Sequence, residues 1–269
     1  WLALLIRQKI LFPFIFVYYL ICALLKFCYL SLPLKRVEDS PLFKKELSSN
    51  KKVAQSKPLH IEDIKYVGRE LGATINDVLA SCLAGALRNY IIAKHGFEAR
   101  AMLNHATIRA MIPFNLRALQ TLERVSQNKK EQEEKKSFSA PNIQLKNDFS
   151  LLFLPLPVAL QSAIDRVSTM HKQTSIMKIG AEPIVSRWLQ WASSLHITLQ
   201  QWTWDLFSRR ASMVFTNVKG PSIPLQFCSI PIKNIAFWVP QAGDIGIGAS
   251  IFSYNGIISM GLSVDASII

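Results

Sequence analysis

Acidic residues are in short supply: 18 Asp and Glu stand against 31 Lys and Arg in 269 residues, a formal net charge of +13. A basic balance on an apolar chain points to an anionic partner, whether a membrane surface, nucleic acid or a phosphorylated ligand. Cysteine is sparse. Cys22, Cys28, Cys82 and Cys228 form no CxxC pair and no metal-ligand spacing. That argues against a disulfide scaffold and a metal site, and the expectation is four reduced, buried thiols. The histidines His60, His95, His105, His171 and His196 stand apart, none with an acid four positions on. Each reads as a satisfied surface or core residue rather than a catalyst. No G-x-S-x-G elbow, Walker A loop or H-E-x-x-H run occurs, which removes the chemistries those motifs carry. Charged residues are only 18% of the chain against 50% apolar, with a mean hydropathy of +0.21. That composition excludes a wholly disordered chain, and the spread of its hydrophobic runs excludes a fibrous repeat.

What is present begins with an apolar opening. Ile10 to Leu25 is 16 residues without a charge, and the run continues past Lys26 to Leu34. A bilayer span needs about 20 apolar residues, so residues 10–34 suffice if Lys26 snorkels. Pro13 would kink a helix near its start. Three readings stand side by side: a membrane span, a helix lying in the interface, and a connector packed on protein. No small-residue cleavage site follows the run, so a cleaved signal peptide is not expected. The chain opens on Trp1 rather than Met and is expected to be a piece of a longer protein.

The character changes at residue 35. Lys35, Arg36, Lys44, Lys45, Lys51, Lys52 and Lys57 face only Glu38, Asp39 and Glu46. Residues 35–57 therefore read as a basic linker, either held to anionic headgroups or simply solvated. Nucleic acid is not the expected partner, because the cations are not interleaved with aromatics and no recognition motif appears.

Beyond it, residues 58–269 read as one folded domain of helices and strands. Ile61–Leu71 is a helix stopped by Gly72. Thr74-Ile75-Asn76-Asp77 follows, with Thr74 as N-cap and Asp77 reaching back to complete a capping box. Ile75, Val78, Leu79, Cys82, Leu83, Ala86, Leu87, Tyr90 and Ile91 then make a continuous helical stripe. The opposite face carries Ala80, Ser81, Ala84 and Gly85, so a second element is expected to pack closely there. Strands are expected at Ala106–Pro113 and Phe149–Leu156, with a charged, mobile loop at 118–146 between them.

Helices are expected over 158–178 and 183–208, the second bearing Trp188, Trp191, Trp202 and Trp204. Tryptophans at that density suggest core or membrane-interface packing. Ser212–Val218 and Ile230–Val239 read as strands, Pro231 placing the latter at an edge. Ile245–Tyr254 and Ile257–Val264 flank Asn255-Gly256, a hairpin signal. Gly243, Gly246 and Gly248 have the wrong order for a dinucleotide loop and favour close packing or a ligand tunnel. The fold class is α/β, of the α+β or mixed kind. On these residues alone no catalytic constellation can be assembled.

Five stretches nevertheless share an order with one family. Gly72-Ala73-Thr74-Ile75-Asn76-Asp77-Val78 continues through Ala84-Gly85-Ala86-Leu87-Arg88-Asn89-Tyr90. Arg109 to Arg117 carries Pro113 at its centre, and Asn147 runs through an apolar stretch to Pro157. Thr216-Asn217-Val218-Lys219-Gly220-Pro221 precedes Gly246-Ile247-Gly248 and Phe252 to Gly256. Together these resemble the wax ester synthase/acyl-CoA:diacylglycerol acyltransferase (WS/DGAT) family, in its carboxy-terminal half and in a plant-type member.

The resemblance implies the two-domain fold of CoA-dependent acyltransferases and condensation domains. It implies an O-acyltransferase moving a long-chain acyl group from acyl-CoA to diacylglycerol or a fatty alcohol, with acyl-CoA as co-substrate and no cofactor or metal. The family's general base lies in an HHxxxDG motif of the amino-terminal half. That motif does not occur in this chain, which therefore holds no catalytic candidate and is expected to be clipped at both ends. The positions implied for a substrate tunnel or structural motif are Asn76, Asp77, Asn217, Gly220 and Pro221. Capping alone accounts for Asp77, whereas Asn76 has no such role. Asn217, Gly220 and Pro221 suit a turn, and Lys219 departs from the family's proline there. Membrane lipids are expected partners, at the endoplasmic reticulum or plasma membrane. The alternative is a membrane-bound, lipid-binding protein without catalysis.

Overall fold

A computed structural model describes residues 50–106, 108–115, 149–180, 182–241 and 243–269, with Phe14, Val17, Tyr18, Ile21, Cys22, Leu25, Leu42, Glu46, Leu47 and Ser48. The expected loop at 118–146 and most of the apolar opening lie outside the described residues. Phe14, Val17, Tyr18, Ile21, Cys22 and Leu25 are helical. Among the described residues no helix is long and apolar enough to cross a membrane.

Strand β1 (Lys51–Gln55) is followed by the short β2 (Leu59–His60), helix α1 (Ile61–Glu70) and helix α2 (Ile75–His95). Helix α3 (Ala99–His105) leads to β3 (Ile108–Asn115), and β4 (Phe149–Leu156) precedes α4 (Ala163–Ile179), α5 (Glu182–Ser194) and α6 (Ile197–Ser208). The chain ends through β5 (Met213–Lys219), the small pair β6 (Gln226–Phe227) and β7 (Ile230–Pro231), then β8 (Ile247–Tyr254) and β9 (Ile257–Asp265). One mixed sheet runs β1-β9-β8-β5-β3-β4. Its inner pairs, β3/β5 and β5/β8, are parallel, and its outer pairs are antiparallel.

Helix α2 starts as the residues dictate. Thr74 and Asp77 form the capping box, and Gly72 ends α1 with a positive φ of 61°. Val78, Leu79, Leu83, Leu87 and Ile91 are buried against the sheet in one core with Ile247, Ala249 and Ile251. Each such leucine or isoleucine stabilises the fold by about 2 kcal/mol. The small face is covered as expected. Ala80, Ser81, Ala84 and Gly85 are buried, and a Cβ on Gly85 would meet the Arg166 guanidinium of α4. Cys82 and Ala86, expected in the apolar stripe, are exposed instead, because sheet and α4 together leave one angular sector of α2 open. Nor are the thiols buried as a group: Cys82 and Cys228 are exposed and Cys22 is half-buried, while Cys28 lies outside the described residues.

The hairpin at the carboxy end is the expected one. Asn255 and Gly256 take φ of 47° and 77°, so that β8 and β9 pair from Tyr254↔Ile257 to Ile247↔Val264. The expected strand at Ile230–Val239 shortens to Ile230–Pro231. No neighbouring strand takes the rest. Residues 234–241 cross the β8–β9 face instead, held by side chains: Trp238 Nε1 donates to Ala54 O at 3.1 Å and Gln241 Nε2 to Ser263 O at 2.5 Å. Gly248 and Gly261 make the crossing possible, since a Cβ on either would strike Val239 or the Phe237–Trp238 segment. Gly246 similarly admits Ile268 and Leu47, so these glycines serve packing. Lys51–Gln55, within the stretch read as linker, is an edge strand on β9, and Lys51 pairs with Asp265 at 2.7 Å.

Candidate functional site

Asn76 and Asn217 meet at the rim of the sheet. Asn217, near the end of β5, donates through Nδ2 to Asn76 Oδ1 at 2.6 Å. Asn76 stands in the first turn of α2, where the capping box fixes its backbone. Both residues line a cleft of about 430 Å³ together with Lys65, Lys219, Gly220 and Pro221. No described residue takes Asn76 Nδ2 or Asn217 Oδ1, so each amide retains one atom for a ligand.

Gly220 and Pro221, in the wall of this cleft, tie the β5 turn to the hairpin. The Gly220 N–H donates to Ser253 O at 2.9 Å, and the Asn255 N–H donates to Pro221 O at 2.9 Å. A side chain at Gly220 would collide with the Ser253 carbonyl and the Phe252 ring. Four of the five expected site residues therefore share one cleft. The expected turn role of Gly220 and Pro221 and their place beside Asn76 coexist.

Asp77 lies behind the cleft and does not line it. Its side chain is fully buried and makes three contacts, with a fourth made by its backbone N–H. Oδ2 accepts the Thr74 N–H at 2.9 Å and faces His171 Nδ1 at 2.9 Å. Oδ1 accepts the Thr174 hydroxyl at 2.6 Å, and Thr74 Oγ1 takes the Asp77 N–H at 3.3 Å. A carboxylate only accepts, so His171 carries a proton on Nδ1 here. Burial pushes the Asp77 carboxyl up, but the hydrogen bonds from Thr174, His171 and Thr74 outweigh it and hold it below the usual carboxylate range. The capping reading of Asp77 holds, with an addition: it also fastens α4 to the start of α2.

His171 and Thr174 are the residues sequence reasoning missed. They lie 94 and 97 positions from Asp77, and no local spacing links them. His171, expected to be a satisfied residue, has Asp77 as its partner. The tryptophans differ from the core expectation as well: Trp188, Trp191, Trp202 and Trp204 are all exposed. One helix was expected over 183–208, and α5 and α6 are two, broken at Leu195-His196. Arg117 of the Arg109–Pro113–Arg117 stretch lies outside the described residues. Among the described residues no group of three His, Cys, Asp or Glu could hold a metal.

The mixed sheet backed by α2 and α4, with a cleft at its rim, is a mixed α/β fold. It matches the wax ester synthase/diacylglycerol acyltransferase from Marinobacter aquaeolei VT8 at a TM-score of 0.53, with 17% identity, over 84% of this chain and 46% of that one. In sequence, residues 145–269 match the WS/DGAT C-terminal domain. Wax ester synthase/diacylglycerol acyltransferase 2 of Arabidopsis thaliana is 25% identical over 241 residues, 81% of this chain and 45% of its own length. A Mycobacterium tuberculosis protein provisionally named a diacylglycerol O-acyltransferase is 24% identical over 218 residues, 76% of this chain and 37% of its own length. The chain thus spans less than half the length of these relatives.

Proposed function

We propose that this chain is the acceptor-side part of an O-acyltransferase. It would act on a long-chain acyl-CoA and on diacylglycerol or a fatty alcohol, yielding triacylglycerol or wax ester at a membrane. The carrying observation is the Asn76–Asn217 hydrogen bond, which joins two stretches of the family resemblance at one cleft. The relatives' names supply the reaction class.

Acyl transfer from a thioester to an alcohol needs three things: a base to take the hydroxyl proton, donors for the developing oxyanion, and a site that holds the hydroxyl. This chain supplies the third. Asn217 Oδ1 can accept from an acceptor hydroxyl and Asn76 Nδ2 can donate to it, while the amide–amide bond fixes both side chains before a ligand arrives. No residue here is nominated as the base, and no cofactor or metal is invoked.

The test is turnover by the full-length gene product, given long-chain acyl-CoA with diacylglycerol or a fatty alcohol. Formation of triacylglycerol or wax ester, sharply reduced by Asn76→Ala, is the expected result. Bound lipid without turnover would sink this reading and favour a non-catalytic lipid-binding protein.

A further inference from the structure

Helix α5 is apolar on two sides, and only one of them meets the sheet. Val185 and Ser186 face inward, and the Ser186 hydroxyl donates to Leu151 O at 2.7 Å. Outward, Ile184, Trp188 and Trp191 fall at spacings of four and three, a single stripe down the helix that Leu195 continues just past its end. Trp188, Trp191 and Leu195 are 63%, 58% and 70% exposed. The Trp188 and Trp191 rings stack edge to face at 5.5 Å. Helix α6 extends the surface with Ile197, Leu199 and Trp202, all exposed.

Charge is missing across the same ground. Residues 188–204 contain four of the six tryptophans and no Lys, Arg, Asp or Glu. At the chain's own frequency of 18% charged residues, 17 positions would hold about three. An ordinary solvated helical pair keeps its charges outward and its rings inward. Here the rings face outward and charge is absent from 188–204.

Tryptophan suits the headgroup depth of a bilayer, with an apolar ring and one polar N–H. Arg209, the residue after α6, is exposed, as are Lys172 and Lys178 on α4. Arg209 also reaches Asp244 at 3.4 Å, and Asp205 is the exposed acid nearby. A Trp-rich apolar face without acidic residues over 188–204, on a chain of net charge +13, complements an anionic lipid surface. We infer that the α5–α6 hairpin docks on an anionic bilayer, with Trp188, Trp191 and Trp202 seated among the headgroups. A cleft of about 920 Å³ opens beside it, walled by Phe149, Leu151, Ile197, Trp204 and Phe207. The inference stands on the surface alone and does not require the reaction proposed above.

Vesicle co-sedimentation of the whole chain tests it, on phosphatidylcholine vesicles with and without phosphatidylserine. The variants are the pair Trp188→Ser with Trp191→Ser, and separately Leu195→Asp. Partition onto the anionic vesicles should fall about tenfold or more in each, with the melting temperature and oligomeric state unchanged. Tryptophan emission of the unaltered chain should also be quenched by vesicles brominated near the headgroup, a readout that needs no variant. Equal partition of variant and unaltered chains would assign membrane binding to another segment and overturn the inference. So would an unaltered chain that ignores vesicles, or a dimer that the substitutions dissociate.

Discussion

Asn217 Nδ2 lies 2.6 Å from Asn76 Oδ1, a bond between residues 141 positions apart that joins the end of β5 to the first turn of α2. Either amide alone would be a flexible surface side chain. Paired, they present one donor and one acceptor in fixed positions at the cleft. Asn76→Ala or Asn217→Ala in the full-length protein should lower kcat/KM by about tenfold or more, the cost of losing one positioned hydrogen bond. The double variant should lose little beyond the worse single one, since each amide works through the other. A steady-state assay of all three variants checks this, and full additivity would contradict it.

Asp77 is a different matter, because its effect should fall on stability. Asp77→Ala removes the N3 half of the capping box of α2, leaves the Thr74 N–H and His171 Nδ1 without their acceptor, and leaves the Thr174 hydroxyl only its longer bond to His171 O at 3.2 Å. The cap is worth about 1 kcal/mol and an orphaned buried donor about 1–3 kcal/mol. A loss of about 2–4 kcal/mol is expected by denaturant titration. Thr174→Val removes one of the bonds and should cost about 1–2 kcal/mol.

Acid should act through two carboxylates. Asp77 is held low by its hydrogen bonds against the opposing effect of burial. Asp265 is held low in the same way by Lys51, Ser267 and Ser48. Both are depressed below the ordinary aspartate value of about 3.9. Their contribution to stability is therefore fully present above that value and is lost as pH falls through the lower folded-state values. Unfolding free energy measured from pH 6 downward should stay level with respect to these groups, then drop below about pH 4. Asp265→Asn should flatten that drop by one proton's worth of slope.

Gly220 separates packing from conformational freedom. Its φ is not positive, yet a Cβ there would enter the Ser253 carbonyl. Gly220→Ala should push the turn off the hairpin and cost about 1–3 kcal/mol, with the Asn217 side chain displaced. Gly256→Ala, in open space at a φ of 77°, should cost only about 1 kcal/mol. Thermal melts of the two variants give the comparison, and a smaller loss at Gly220 than at Gly256 would refute it.

The sequence by itself determined whatever depends on neighbours in the chain. The capping box at Thr74 and Asp77, the Gly72 stop, the Asn255-Gly256 hairpin and the strand at Phe149–Leu156 each follow from residues a few positions apart. The motif order also placed Asn76, Asn217, Gly220 and Pro221 among the site candidates. Tertiary structure alone decided what meets across the fold. It brought His171 and Thr174 onto Asp77, laid residues 234–241 across the sheet instead of beside it, and turned the tryptophans outward. The physical reason is the same in each case. A local pattern specifies which side of an element is apolar, whereas only the packed chain specifies which apolar side finds a partner.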